Sequence, residues 1–87
     1  MNTASYKKIP NLLLKYRKIS GYTQKQVAQI IDIQPTLLCK WEEGKCIPNL
    51  VYVFKLAILY QTMADALFID LIRYLRKEIK EKVKINS

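Results

Sequence analysis

Histidine is absent from this 87-residue chain, and cysteine occurs only at Cys39 and Cys46. Without imidazole, two thiols cannot assemble the usual four-ligand zinc site of nitrogen and sulfur, so no metal is expected. No nucleophile has a histidine base to activate it, and no glycine-rich loop is present to cradle phosphates; neither catalysis nor a cofactor is expected. The two cysteines read as reduced thiols, a disulfide between them being disfavoured in a chain without an export signal. Glycine and proline are scarce too, two and three respectively, which excludes long linkers and leaves short turns between helices. No apolar run approaches the roughly 20 residues that a membrane span needs. The first ten residues, Met1 to Pro10, carry Lys7 and Lys8 but no apolar stretch of secretory type. A cytoplasmic location without a membrane partner is the expectation that follows.

What the chain does have is positive charge and helical apolar spacing. Fifteen Lys and Arg face seven Asp and Glu, for a net charge of +8, which suits a polyanionic partner such as nucleic acid or an anionic membrane surface. The excess sits at the two ends. Residues 1–22 hold five basic side chains and no acid, residues 73–87 hold six against two, and between them the signs nearly cancel.

Apolar residues recur at three- and four-residue intervals, so the expected fold is all-α. A first helix is expected from about Asn11 to Ser20, with Pro10 before it and Gly21 after it. Thr23 and Gln26 have the form of a capping box, opening a second helix that ends near Ile31. Asp32 to Gln34 make the next turn, Pro35 opens a third helix reaching Glu43, and Gly44 stops it. Asn49 is a good N-cap for a fourth helix through about Tyr60. A fifth is expected from Met63 or Ala64 to about Lys84 without a break. The whole reads as one domain over residues 1–87, with a core at about 9–70 and a helical extension at about 71–87.

Two short helices that cross at close range need small and apolar residues at fixed offsets. Val27 and Ala28 supply them on the second helix, Ile31 and Ile33 flank the turn, and Leu38 and Trp41 take the buried side of the third. Thr23-Gln24, Ala28, Ile33, Leu38, Trp41-Glu42, Gly44 and Pro48 together resemble the pattern of the Xre family of Cro and cI-type regulators. The resemblance runs from roughly Leu13 to Phe68. It implies a five-helix, lambda-repressor-like DNA-binding domain whose third helix enters the major groove while the second crosses the backbone. Three positions depart from the family pattern: Asp32 and Gln61 stand where glycine is usual, and Gln34 stands where Ser or Thr caps the third helix.

On that reading the base-contacting candidates are Gln34, Pro35, Thr36, Leu37 and Lys40. Gln34 suits adenine, Lys40 suits guanine or a phosphate, and Pro35 or Leu37 suits a thymine methyl group. Phosphate candidates are Gln24 with the amides around it, Lys25, Lys45, and Lys15 or Lys18. By resemblance, Arg17 and Glu42 form a partly buried ion pair linking the first helix to the end of the third. The fourth helix is apolar nearly all round, and Phe68, Ile72, Leu75, Ile79 and Val83 form a stripe on the fifth; something must cover both. The stripe is either part of the chain's own core or a dimer interface. The expected function is sequence-specific regulation of transcription, most simply repression by a homodimer on palindromic double-stranded DNA. The alternative is a protein-interaction module such as an antitoxin or anti-regulator, suggested by Leu37, Leu38 and Cys39 in succession and by the apolar fourth helix.

Overall fold

The computed structural model describes residues 8–86, with side chains through Lys84; Lys7, counted above in the basic N-terminal stretch, lies outside them. Among the described residues six helices follow in order: α1 (Leu13–Ser20), α2 (Gln24–Ile31), α3 (Pro35–Glu42), α4 (Leu50–Leu59), α5 (Ala64–Leu67) and α6 (Ile69–Asn86). The described residues contain no strand.

The starts of α2 and α4 are set by local side-chain chemistry. Thr23 Oγ1 accepts the Gln26 N–H at 3.1 Å while Gln26 Oε1 accepts the Thr23 N–H at 2.9 Å, so both orphan amides are satisfied reciprocally. Asn49 Oδ1 accepts the Tyr52 N–H at 3.1 Å and opens α4 in the same manner.

The ends of the first four helices share one device. At each, a residue with left-handed backbone is followed by an amide that reaches back across the last turn: Tyr22 to the Arg17 carbonyl, Ile33 to Ala28, Lys45 to Lys40 and Thr62 to Ala57. This is the six-to-one bond of a Schellman closure. The left-handed residues are Gly21, Asp32, Gly44 and Gln61. Asp32 and Gln61 bear the cost of that conformation without preventing the closure.

Gly44 has a further constraint. A Cβ there would lie 2.6 Å from the Ile9 carbonyl oxygen and 2.8 Å from its nitrogen, whereas one at Gly21 would meet nothing within 4 Å. The Ile9 N–H donates to the Gly44 carbonyl at 2.9 Å, so the incoming chain is held against this turn. Gly21→Ala should therefore cost about 1 to 2 kcal/mol of backbone strain. Gly44→Ala should cost about 3 kcal/mol, because the backbone of Ile9 must also move. Urea unfolding of the two variants compares them directly; equal losses would mean that the close approach at Gly44 carries no energy.

Two boundaries differ from the sequence pattern, each because of a long-range hydrogen bond. α1 starts at Leu13 rather than Asn11. Asn11 instead donates to the Ile9 and Trp41 carbonyls, both at 3.1 Å, and accepts the Leu13 N–H at 3.0 Å, tying the start of α1 to the end of α3. The single long fifth helix is divided at Phe68, whose φ of −130° leaves the helical range. The Leu67 carbonyl accepts the Leu12 N–H at 2.8 Å and is diverted from its helical partner four residues on.

The core gathers Leu13 of α1, Val27 and Ile31 of α2, Leu38 and Trp41 of α3, Leu56 and Tyr60 of α4, and Leu67, Phe68 and Leu71 around the break. Trp41 lies with its ring 5.5 Å from that of Tyr52, as a core residue. Ile72 and Leu75 are half-buried, while Ile79 and Val83 are exposed. The far half of α6 thus projects from the body and does not fold back on it, and the longest dimension of the chain is 48 Å against 25 and 20 Å for the others.

Candidate nucleic-acid interface

The orientation of α3 follows from its two fully committed apolar residues. Leu38 and Trp41 face the core, and helical spacing then sends Thr36, Lys40 and Glu43 to the opposite side, where all three are exposed. Gln34 is the N-cap but makes no capping bond with its side chain, and Pro35 occupies the first helical position. The Gln34 amide is thus left over at the exposed start of the helix, beside the Pro35 ring. Leu37 is half-buried and packs on the core, so much of its apolar surface is already used.

Cys39 and Glu43 also belong to this surface, and Glu43 is not among the residues that the sequence pattern offered for it. The Cys39 thiol donates to Glu43 Oε1 at 3.2 Å, and Lys45 Nζ lies 2.7 Å from Glu43 Oε2. The hydrogen bond from Lys45, helped by the one from Cys39, holds the Glu43 carboxyl below the usual carboxylate range. The same carboxylate pushes the Cys39 thiol and the Lys45 ammonium up. An acid therefore stands on the outward face of α3 with its charge offset by Lys45. The spacing of positions 36, 40 and 43 was the pattern that could have revealed it. Lys25 and Lys40 are exposed and make no ion pair among the described residues.

A polar cluster locks α3 against α1 and α2. Arg17 Nε donates to Glu42 Oε2 at 2.6 Å and Nη2 to Oε1 at 3.2 Å, while Nη1 donates to the Tyr22 carbonyl at 2.9 Å. Gln24 Nε2 donates to Glu42 Oε1 at 2.8 Å. The two charged side chains are 11% and 3% exposed, and the hydrogen bonds that Arg17 donates to the Glu42 carboxylate raise its guanidinium further. Beside them the Tyr60 hydroxyl is buried without a partner among the described residues, and burial pushes it well above the ordinary tyrosine range.

This cluster redistributes the phosphate candidates. The Gln24 side chain is engaged with Glu42, so what the start of α2 offers outward is its backbone: the capping box uses the amides of Thr23 and Gln26, while those of Gln24 and Lys25 belong to the first turn, which has no intrahelical acceptors. Lys25 stands exposed beside them. Lys45 is tied to Glu43. Leu13, Tyr16 and Arg17 form the inward side of α1, which leaves Lys15 and Lys18 exposed on its opposite side, away from the contact with α3. The structure therefore brings Gln34, Pro35, Thr36 and Lys40 together on α3 and leaves Lys15 and Lys18 apart from them.

The described residues hold no group of cysteine, aspartate and glutamate placed to bind a metal ion, and no helix among them is long and apolar enough to cross a membrane. A family profile described as Helix-turn-helix matches residues 13–71, a span that begins with α1 and ends at the third residue of α6. No curated protein and no solved structure matches the chain.

Proposed function

The chain belongs to the helix-turn-helix family of the Cro and cI repressor type, a family of DNA-binding regulators, and from that premise we propose that it is a sequence-specific repressor binding a palindromic operator as a homodimer. In this reading residues 1–87 act as one domain in the cytoplasm. α3 lies in the major groove, and the start of α2 meets the phosphate backbone with the amides of Gln24 and Lys25. The observation that carries it is the outward face of α3, where Gln34, Thr36 and Lys40 present hydrogen-bonding groups that the fold itself does not use. Gln34 matches the donor and acceptor edge of adenine, Lys40 matches guanine, and Pro35 can touch a thymine methyl group.

The rival reading, an interaction module working through its apolar helices, loses the part of its support that lay on the third helix, while α4 keeps Leu50, Val51, Phe54 and Ile58 exposed. Leu38 is fully buried and Leu37 packs on the core, so α3 shows solvent a polar face and not an apolar one.

Gln34→Ala and Lys40→Ala should each weaken binding to the preferred operator by about 1 to 3 kcal/mol and weaken binding to unrelated DNA less. Fluorescence titration of both DNAs at one salt concentration measures the difference. Equal losses on the two would assign these side chains to the phosphates.

A further inference from the structure

The end of α3 holds a group of charges that the DNA reading does not yet use. Thr36, Lys40 and Glu43 fall within about 60° of one another around the helix, so Glu43 stands in line with the two candidate base contacts and about 4.5 Å further along the axis than Lys40. An acid in that place opposes binding, since phosphates closer than the Debye length of roughly 8 Å repel it. Each of its oxygens already serves a donor of the fold: Oε1 accepts the Cys39 thiol at 3.2 Å, and Oε2 lies 2.7 Å from Lys45 Nζ. Gln34 and Lys40 differ in this respect, because their side chains are left over. Glu43 is also the C-cap of α3, at the far end from the N-terminal residues that reach base edges in this mode of docking.

The turn itself keeps Glu43 and Lys45 together. Exposed ion pairs contribute little where two long side chains must be ordered for one contact. Here the backbone supplies much of the order. Gly44 takes a left-handed φ of 75°, and the Lys45 N–H donates to the Lys40 carbonyl at 2.9 Å, so residues 43 and 45 flank one tight, closed turn. Cys39, one helical turn before Glu43, steadies the other oxygen. Lys8, on the segment that runs against Gly44, adds a positive field that helps to keep the carboxylate ionised.

We propose that Glu43 is a positioning residue that holds Lys45 back from the phosphate backbone and so limits the part of DNA affinity that does not depend on sequence. The proposal rests on the DNA binding of the preceding reading, but on neither its operator nor its dimer. Electrostatic contacts supply nearly all binding to unrelated DNA. With Lys45 withheld, a larger share of the affinity falls to the base contacts of Gln34, Thr36 and Lys40.

The test titrates full-length wild type, Glu43→Gln, Lys45→Gln and the double variant with a mixed-sequence duplex, at salt from about 50 to about 200 mM. The replaced side chains are exposed, and circular dichroism checks that the fold is kept. Glu43→Gln keeps the shape without the charge and should bind more tightly than wild type, a gain that partial unfolding does not produce. Its log-log slope should be steeper by about 0.9 for each subunit bound, so with two subunits the gain is about tenfold larger at the low-salt end than at the high. Lys45→Gln alone should resemble wild type. The double variant should return to the wild-type slope, because the released ammonium is gone.

A wild-type slope in Glu43→Gln overturns the proposal, since Lys45 then meets no phosphate when freed. A gain that persists in the double variant also overturns it and makes direct repulsion by Glu43 the cause. So does a Glu43→Gln protein that loses preference at one base pair of a selected duplex, which would make Glu43 a reader of cytosine. A wild-type chain that binds no duplex even at low salt overturns the preceding reading as well.

Discussion

Glu42→Ala is expected to cost about 3 to 5 kcal/mol of folding stability, because it leaves the Arg17 guanidinium buried without its counter-charge. The Glu42 carboxylate accepts three hydrogen bonds, two from Arg17 and one from Gln24, and its side chain is 3% exposed. Removing Arg17 strands the carboxylate in turn, so Arg17→Ala should be comparably damaging, and the double variant should lose less than the two losses added. Glu42→Gln keeps the shape and can still accept from Arg17, so it should fall between wild type and Glu42→Ala. Urea unfolding of the four proteins closes the cycle. Strict additivity would mean that the pair contributes no coupling, and the orientation of α3 would then rest on Leu38 and Trp41 alone.

Salt should act strongly on DNA affinity. Each neutralised phosphate adds about 0.9 to the log-log slope against salt. With Lys25 and Lys40 engaged on both subunits, the slope should be about −3.6, or on the order of a hundredfold loss of affinity between 50 and 200 mM salt. The ion pairs of the fold predict which lysines matter. Lys25→Gln should flatten the slope by about two, one contact in each subunit. Lys45→Gln should change it little, because Lys45 is already paired with Glu43 at 2.7 Å. Reversal of that order would show that the Glu43–Lys45 pair opens on DNA, and binding indifferent to salt would contradict the phosphate contacts.

Features governed by neighbours in the chain were legible in the sequence. The capping box of Thr23 and Gln26, the Asn49 cap and the glycine stops at Gly21 and Gly44 act within one turn, so residue type and spacing specify them. The division at Phe68 was not legible. Nothing local breaks the helix there; the cause is the Leu12 amide taking the Leu67 carbonyl, a contact between opposite ends of the chain. The start of α1 shifted for the same reason, since one of Asn11's partners is the Trp41 carbonyl.

The site was legible at the level of the helix and less so at the level of the side chain. Periodicity identified Leu38 and Trp41 as inward, which already placed Thr36 and Lys40 outward. It did not show that Leu37 leans onto the core, that Gln24 turns to Glu42, or that Cys39 and Glu43 share the outward face. Those depend on how close neighbouring helices come. The stripe on α6 was visible as spacing, but the point where it leaves the body, between Leu75 and Ile79, depends on where α5 and α6 pack.

Selection of bound sequences from random duplex DNA with the purified full-length protein tests the central claim most directly. Sequence-specific binding through α3 predicts enrichment of a palindrome whose half-sites are spaced about one helical turn, with Lys40→Ala losing preference at a defined base pair in each half. Recovery of duplexes with no shared sequence, at affinities no better than for unrelated DNA, would contradict it.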